Sequence, residues 1–160
     1  MRRERLAAYL EARRPARVAL VGEAAGFRGA RVSGIPFTSE RQLTGRGPAE
    51  ASATIVGRVL RKLGVEEEVL LWNVVPTHPH QPDRPYTNRR PSRVEVADSL
   101  CFLGGVAGGR RLVAVGRLAE RVTGAPYVRH PSHGGAAAFE RDLEAVLLRF
   151  RVGARMRASL

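Results

Sequence analysis

Arg17–Gly26 reads Arg-Val-Ala-Leu-Val-Gly-Glu-Ala-Ala-Gly, and this stretch decides the fold. Its first half, Arg17–Val21, is a short and nearly continuous apolar run, which is typical of a strand buried on both faces. Gly22 ends the strand, and the Gly-rich segment Glu23–Pro48 that follows predicts a long loop. The chain therefore places polar side chains directly at the end of a core strand.

Similar apolar runs recur along the chain, with helical patterns between them. Further strands are predicted at Val69–Trp72, Arg111–Val115 and Tyr127–Arg129. Apolar residues at helical spacing predict helices at residues 3–13, Ala49–Leu63, Pro91–Leu103, Leu118–Val122 and Ala137–Phe150. Because strands and helices alternate, we predict an α/β fold, a three-layer αβα sandwich with a central four-stranded, mainly parallel sheet.

The length of the chain corresponds to one domain. With 160 residues, of which 44% are hydrophobic, the chain can bury a core without support from disulfides or metals. We place this single α/β domain at residues 1–150 and expect residues 151–160 to form a basic, loose C-terminal tail.

The composition argues against several classes of protein. Cys101 is the only cysteine, so an intramolecular disulfide is impossible, and an iron–sulfur cluster or structural zinc site is not expected. The first residues, MRRERLAAYLEARRP, lack the apolar core of a signal peptide, and no run has the length of a membrane span. We therefore expect a cytoplasmic protein with no cofactor, no metal and no membrane contact.

The chain is strongly basic, with a formal net charge of +12 at pH 7. Such a charge favours a polyanionic partner such as DNA or RNA, because each neutralised phosphate releases a counterion. Lys62 is the only lysine among 27 basic residues, however, and a preference for arginine is equally typical of a GC-rich genome. The charge therefore indicates a class of partner and says nothing about chemistry.

Three polar loops follow the first, second and fourth predicted strands. In open α/β sheets, ligands bind outside the carboxyl ends of the strands. We therefore expect the segments Glu23–Glu40, Asn73–Arg90 and His130–Gly135 to converge on one cleft.

The first loop, Gly22–Glu40, contains four glycines that let backbone approach a ligand closely. It matches neither the Walker loop nor the dinucleotide-binding fingerprint. Glu23 directly follows the strand and is either a functional carboxylate or a solvated loop residue. Phe37 is either a plug of the core or a ring that stacks on a base at the cleft.

The second loop begins with Asn73, at the end of an apolar strand. An amide in this place offers a donor and an acceptor that match the edge of a nucleobase, or it ties down the loop backbone. His78, His80 and Asp83 have a spacing that could suggest a metal site. Because prolines intervene and no further ligand is near, we expect no metal there.

The third loop, His130–Gly135, reads His-Pro-Ser-His-Gly-Gly. Histidine is suited to transferring a proton or to donating a hydrogen bond to a leaving group, although a single histidine is often structural. The compact turn predicted here gathers imidazole, hydroxyl and amide groups, so we interpret His130 as a catalytic candidate.

Together and in this order, the three loops resemble the uracil-DNA glycosylase superfamily. Gly22–Gly26 and Pro36-Phe37 resemble the first motif of its iron–sulfur-containing branch, Gly-Glu-(Ala/Gly)-Pro-Gly followed by Pro-Phe, with Ala25 in place of proline. Asn73–Val75 and Asn88–Pro91 resemble that branch's Asn-Val-Val and Asn-Arg-x-Pro segments. His130–Ser132 matches the last motif of the superfamily, and the resemblance extends over about residues 17–148.

The chain also departs from that pattern. The four cysteine ligands of the branch are missing, so the chain resembles a cluster-free relative. Ala24 stands where the best-known members carry the aspartate that activates water. Gly26 stands where those members carry the tyrosine that blocks the methyl group of thymine.

The resemblance implies a DNA repair enzyme that flips deoxyuridine out of the DNA stack and hydrolyses its N-glycosidic bond, releasing uracil and leaving an abasic site. It implies catalytic roles for His130, which stabilises the leaving uracil, for Asn73, and for Glu23, which positions water or stabilises the sugar cation. The residues implied in uracil binding are Phe37, Asn73, Gly22 and Ala24.

The resemblance also implies how the partner, uracil-containing DNA, is held by a monomer. The residues implied in DNA binding are Arg28, Arg89, Arg90, Ser132, His133 and Gly134. No bulky apolar side chain directly follows His130-Pro131-Ser132, so the residue that wedges the DNA stack open stays undetermined at this point. The removal of hypoxanthine or xanthine also stays open.

Two alternatives remain from the residues alone. One alternative to the glycosylase is a catalytically weak or inactive nucleic-acid-binding relative, since Ala24 replaces the aspartate and the net charge is +12. The other is a different hydrolase that uses Glu23 and His130 on a nucleotide or another small molecule, in which case salt should affect binding little.

Overall fold

The computed structural model describes the backbone of residues 1–157 and the side chains of residues 1–151. The strands are β1 (Val18–Ala24), β2 (Val69–Val75), β3 (Arg111–Val115) and β4 (Tyr127–Val128). The helices are α1 (Arg2–Ala12), α2 (Ala30–Ser33), α3 (Glu40–Thr44), α4 (Ala51–Lys62), α5 (Arg93–Ala107), α6 (Arg117–Thr123) and α7 (Ala136–Arg157).

The four strands form one sheet in the order β2-β1-β3-β4, and every pair is parallel. Val18 in β1 pairs with Val69 on one side and with Arg111 on the other. The chain crosses from the outer strand β2 to β3 on the opposite side of β1, which creates a change of winding direction next to β1. The predicted α/β fold with a four-stranded sheet is confirmed, and the sheet is parallel throughout.

Helices cover both faces of the sheet. Alternate residues of β1 point to opposite sides, so Leu20 belongs to one core cluster and Val21 to the other. The first cluster contains residues of α4 and α7, including Val56 and Phe139, whereas the second contains residues of α5 such as Leu103. Burial of both faces explains why the strands are almost entirely apolar, and it produces the predicted three layers.

Two strands extend further than their apolar runs predicted. β1 continues to Ala24 and β2 continues to Val75, because Gly22 pairs with Asn73 and Ala24 pairs with Val75 in the parallel ladder. The prediction that both strands end before their polar residues was therefore wrong. As a result Glu23 and Asn73 lie within regular strands, which hold their backbone more rigidly than loops do.

The segment predicted as one loop between β1 and α4 contains the two short helices α2 and α3. Ser39 precedes α3, and its backbone amide donates to Oε1 of Gln42 at 2.8 Å. Ser33, which is fully buried, accepts from the Ile35 amide at 3.1 Å and donates to the Thr38 carbonyl at 2.6 Å. These hydrogen bonds fold the segment into a defined path over the sheet.

The last helix continues beyond the predicted domain boundary. α7 extends to Arg157, although its apolar pattern predicted an end at Phe150. Residues 158–160, at the end of the expected tail, lie outside the described residues. Among the helices that are described, none has the length and apolar character needed to span a membrane.

Candidate active site

A cleft opens at the carboxyl end of the sheet. It contains about 330 Å³ of unfilled space and receives side chains from β1, from β2 and from the turn after β4. The structure thus brings Glu23, Asn73 and His130 together, as expected from their places at strand ends. The full lining consists of Glu23, Ala24, Gly26, Ala30, Phe37, Glu50, Ser52, Asn73 and His130.

Asn73 is held by the strand pairing and lies opposite Gly22. The residue is nearly completely buried, at 3% exposure, and it lines the cleft. A Cβ atom added to Gly22 would lie 2.7 Å from Oδ1 of Asn73 and 2.3 Å from Cζ of Phe37. Glycine at position 22 therefore allows the amide and the ring to approach the strand closely.

Phe37 reaches the cleft from the segment between α2 and α3. Its backbone has a φ of 51°, a left-handed conformation that an aromatic residue rarely adopts. The buried Ser33 hydroxyl stabilises this turn by donating to the Thr38 carbonyl and accepting from the Ile35 amide. The strain is thus compensated by neighbouring hydrogen bonds, and the half-buried ring both packs against the core and faces the cleft.

The turn after β4 determines which ring nitrogen of His130 carries a proton. The backbone amide of Ser132 points at Nδ1 of His130 from 3.2 Å. Because an amide can only donate, Nδ1 must accept, and the neutral imidazole carries its proton on Nε2. Oγ of Ser132 also lies 2.8 Å from Nδ1, while Nδ1 of His133 lies 3.0 Å from the same hydroxyl.

The pKa of His130 is lowered from its ordinary value of 6.5, first by burial of the ring and second by the nearby positive charges of His133 and Arg129. The neutral form is therefore favoured at neutral pH, with a donor at Nε2. Gly135 makes this tight turn possible, since a Cβ there would lie 2.1 Å from the carbonyl oxygen of His130.

The cleft contains a second carboxylate that the sequence analysis missed. Glu50 precedes α4 as its N-cap residue, and its Oε1 accepts a hydrogen bond from the Ser52 hydroxyl at 2.8 Å. A Cβ added to Gly26 would lie 2.1 Å from Oε2 of Glu50, and one added to Gly29 would lie 2.6 Å from it. The carboxylate of Glu50 therefore occupies the space that a side chain at position 26 would take.

A signal for Glu50 was present in the sequence. Glu50-Ala51-Ser52 lies where the helical pattern of α4 begins, and an acidic residue is favourable at a helix N-terminus. The predicted helix began at Ala49, however, which placed Glu50 inside the helix. Only the packing against Gly26 and Gly29 shows that this residue faces the cleft.

The residues predicted to hold DNA differ in their surroundings. Arg28 and Arg90 are exposed, as are His133 and Gly134 on the turn after β4, whose Ser132 is half-buried. Arg89, by contrast, donates twice to Glu95 at 2.8 Å and once to the His80 carbonyl at 2.7 Å. Its guanidinium is engaged in bracing the loop after β2 against α5.

His78, in the same loop, acts as a brace as well. Nδ1 of His78 lies 2.9 Å from the Ala25 carbonyl, and Nε2 lies 3.3 Å from the Pro85 carbonyl. Within the described residues, no group of three or more His, Cys, Asp or Glu side chains is placed to hold a metal ion. The single exposed cysteine, Cys101, does not fit the four-thiolate ligand set of an iron–sulfur cluster.

Comparisons with known proteins identify a family and a similar fold. The family model described as the uracil DNA glycosylase superfamily matches residues 11–146. Among solved structures, the chain is similar to the crystal structure of wild-type SMUG2 from Pedobacter heparinus, with a TM-score of 0.62 and 14% identity over 88% of this chain and 76% of that chain. At this identity the similarity is one of fold. No curated protein matches the sequence.

Proposed function

The chain belongs to the uracil DNA glycosylase superfamily, and from that premise we propose that it excises uracil from DNA. The reaction is hydrolysis of the N-glycosidic bond of deoxyuridine, which leaves an abasic site. The observation that supports this best is the shared cleft of Asn73, His130 and Phe37, since an amide, an imidazole and an aromatic ring are what recognition and release of a flipped uracil require.

Asn73 selects the base. Its amide accepts a hydrogen bond from N3–H of uracil and donates one to O4, whereas cytosine presents the opposite polarity at both atoms. Because Asn73 is buried within a strand, it cannot turn away to water when the wrong base enters. Each unmade buried hydrogen bond costs about 1–3 kcal/mol, which disfavours cytosine.

His130 stabilises the leaving group. As the bond between C1′ and N1 breaks, its electron pair moves to the base, and negative charge develops on O2 of uracil. Nε2–H of a neutral His130 donates to that oxygen, and the donor is already oriented by the contact between Nδ1 and the Ser132 amide. The lowered pKa of His130 favours this protonation state.

A carboxylate must position the attacking water, because Ala24 supplies none. Glu23 and Glu50 both line the cleft. Glu50 is the more constrained, since the Ser52 hydroxyl donates to its carboxylate, which fills the space that Gly26 and Gly29 leave free. We therefore assign water positioning to Glu50: the water oxygen bonds to C1′, its proton passes to the carboxylate, and Glu23 stabilises positive charge on the sugar.

The DNA backbone lies along the rim of the cleft. Arg28 and Arg90 bind phosphates, together with the Ser132–Gly134 turn, which offers backbone amides. Arg89 contributes mainly by bracing, since its donors are occupied by Glu95 and His80. We predict that the domain at residues 1–150 acts as a monomer and without a cofactor. We also predict that the protein is cytoplasmic.

Release of a base from a labelled oligonucleotide tests the function. The wild type is incubated with single-stranded and duplex DNA carrying one uracil, with thymine, hypoxanthine and xanthine in control oligonucleotides, and abasic sites are cleaved with alkali. We expect cleavage at uracil that is strongly reduced in Asn73→Ala and retained in His80→Ala, because the exposed His80 side chain hydrogen-bonds only to the Gln81 carbonyl beside it.

If the wild type binds uracil-containing DNA yet releases no base from any substrate, the chain is the inactive binding relative that Ala24 suggests. Activity on free nucleosides that is insensitive to salt supports the small-molecule hydrolase instead.

The two carboxylates are separated by matched variants. Under single-turnover conditions we expect Glu50→Gln to slow uracil release about 100-fold, the lower range for loss of a general base, and Glu23→Gln to slow it less. The reverse order assigns the water to Glu23. Release of thymine by Glu50→Ala, without slower release of uracil, shows instead that the carboxylate excludes the thymine methyl group.

A further inference from the structure

An exposed aromatic residue lies beside the cleft and takes no part in the chemistry above. Tyr86, in the loop after β2, is 71% exposed. Its ring meets that of Phe27 edge to face, with centroids 6.4 Å apart and planes at 71°. Because most of the Tyr86 ring stays in water, contact with Phe27 alone does not account for its position.

The Phe27–Tyr86 pair is fixed to the wall of the cleft. Phe27 directly follows Gly26, which lines the cleft, and its backbone amide donates to Oδ1 of Asn88 at 3.1 Å. The Ala25 amide donates to the Thr77 carbonyl at 3.3 Å. Hydrogen bonds thus join the loop that carries Tyr86 to the segment that carries Phe27, at the edge of the site.

Two arginines flank the pair. The guanidinium of Arg31 lies 5.8 Å from the centroid of Tyr86, and that of Arg28 lies 5.2 Å from the centroid of Phe27. Arg84 and Arg90, in the same loop as Tyr86, are exposed, and so is the acidic Asp83. The surroundings of the rings are therefore mainly cationic and suit a polyanion.

An exposed ring bordered by arginines is suited to a nucleobase together with its phosphates. Stacking of a base on an aromatic side chain is tolerant of sequence, because every base has a π face, and nearby guanidinium groups pair with the backbone. An exposed aromatic ring with arginines on either side, next to a cleft that accepts a flipped nucleotide, fits a nucleic-acid strand better than it fits a protein or lipid partner.

We propose that Tyr86, supported by Phe27, stacks on a base that neighbours the flipped nucleotide in the substrate strand, while Arg28 and Arg31 hold the adjoining phosphates. The proposal rests on the proposed function, since it takes the strand entering the cleft to be DNA. It assigns part of the stabilisation of the opened stack to the loop after β2. A base that has lost its neighbour by flipping regains a stacking partner in this way.

Binding measurements test the proposal without depending on catalysis. Fluorescence anisotropy is recorded for a single-stranded oligonucleotide with one uracil, using the wild type, Tyr86→Ala and Tyr86→Trp. We expect the Kd of Tyr86→Ala to rise about tenfold, within the range for loss of one stacked base, and Tyr86→Trp to bind as the wild type does. Phe102→Ala, which removes a 57% exposed ring from α5, is the matched control and should not change the Kd.

The DNA can be varied in the same way as the protein. Oligonucleotides carry a tetrahydrofuran spacer in place of the base on the 5′ side or on the 3′ side of the uracil. Where the spacer removes the stacked base, the wild type should lose about tenfold in affinity and the difference from Tyr86→Ala should disappear. Equal Kd values for the wild type and Tyr86→Ala on the intact oligonucleotide overturn the proposal.

The readouts keep the two proposals apart. If the Kd shows no coupling between Tyr86 and the neighbouring base while the wild type still releases uracil, the stacking proposal is overturned and the glycosylase proposal stands. Coupling without any release of uracil overturns the glycosylase and leaves a DNA-binding site. Arg31→Gln should also reduce the slope of log Kd against log salt by about 0.7, the value for one phosphate on a single strand, and an unchanged slope contradicts its contact with phosphate.

Discussion

The two ends of the sheet each carry a cavity, and they differ in size and in lining. The cleft at the carboxyl end contains about 330 Å³ and is lined by Glu23, Glu50, Asn73 and His130 among others. The cavity at the amino end leaves about 980 Å³ unfilled, part of it open to solvent, and its lining combines apolar residues such as Val69 and Leu147 with the charged residues Arg17, Glu68, Arg111 and Arg151. We assign the proposed chemistry to the smaller cavity.

If this assignment is correct, the direction in which the strands run selects the site, and the volume of the cavity does not. At the amino end, Arg111 donates to the Phe150 carbonyl at 2.6 Å and lies 5.2 Å from the Phe150 ring, so its charge is used to hold α7. At the carboxyl end, polar groups on three separate segments face one space because parallel strands all finish there.

The largest expected effect is at His130. Replacing it with alanine removes the donor to the leaving oxygen, so we expect single-turnover release of uracil to slow about 100- to 1000-fold. Arg111→Gln, at the amino end, is the control and should leave the rate nearly unchanged, because Arg111 contacts α7 and does not line the cleft. Similar losses of rate in His130→Ala and Arg111→Gln would show that the two ends of the sheet do not differ in their role.

The next effect concerns Gly22, which allows two side chains to approach β1. In Gly22→Ala the new Cβ meets Phe37 and Asn73 at 2.3 and 2.7 Å, so both must shift. A displacement of about 1 Å in a site costs about 100-fold in rate, and we expect a loss of that size in kcat/KM for uracil-containing DNA. Gly104→Ala in α5, where a Cβ meets nothing within 4 Å, is the matched control.

The pH dependence of excision provides a smaller and sharper test. Protonation of His130 at Nδ1 would set a second N–H against the Ser132 amide, so the active form is the neutral one. Burial lowers the pKa of His130, and activity should therefore fall only as pH drops below 6.5. His133→Ala removes a positive neighbour and should move this limb to higher pH; a wild-type midpoint above 6.5 contradicts the assignment.

The smallest expected effect concerns the Arg89–Glu95 pair, which stabilises the loop after β2 and takes no part in the proposed chemistry. The two hydrogen bonds from Arg89 hold the pKa of Glu95 at about 2, below its ordinary value of 4.5. The stability that this pair contributes is present above pH 4.5 and is lost as pH falls through about 2. Because both side chains are about one-third exposed, we expect Glu95→Gln to lower the free energy of unfolding by up to about 1 kcal/mol at pH 7.

Thermal unfolding checks this last prediction. The difference in Tm between the wild type and Glu95→Gln should shrink as pH approaches 2, while kcat at pH 7 stays nearly unchanged. A loss of kcat comparable to that of Gly22→Ala would show that the loop after β2 positions the reacting groups and does more than brace.

Much of the fold followed from local pattern. The apolar runs located all four strands, and their alternation with helices predicted the α/β sandwich correctly, because a strand buried on both faces must be apolar almost throughout. The resemblance to the superfamily, inferred from three loops, is confirmed by the family match over residues 11–146. Strand ends were less predictable, since Glu23 and Asn73 interrupt the apolar pattern while their backbones stay in the ladder.

Some residues of the candidate site could be predicted from the sequence, and others could not. Residues at strand ends, such as His130, could be named in advance because the order of parallel strands brings their ends together. Glu50 could not, since its place in the cleft depends on the missing side chains of Gly26 and Gly29, which are more than 20 positions away in the chain. Arg89 was assigned to phosphate because nothing local indicates that Glu95 occupies its donors.

By itself the sequence determined the class of fold, the edge of the sheet that carries the site and the residue types available there, because these depend on hydrophobic periodicity and on where polar residues interrupt it. The tertiary structure alone decided which carboxylates line the cleft, which arginine donates to a neighbouring carboxylate and which aromatic rings stand exposed beside the cleft. Those choices depend on contacts between distant segments, whose energies arise only once the layers have packed.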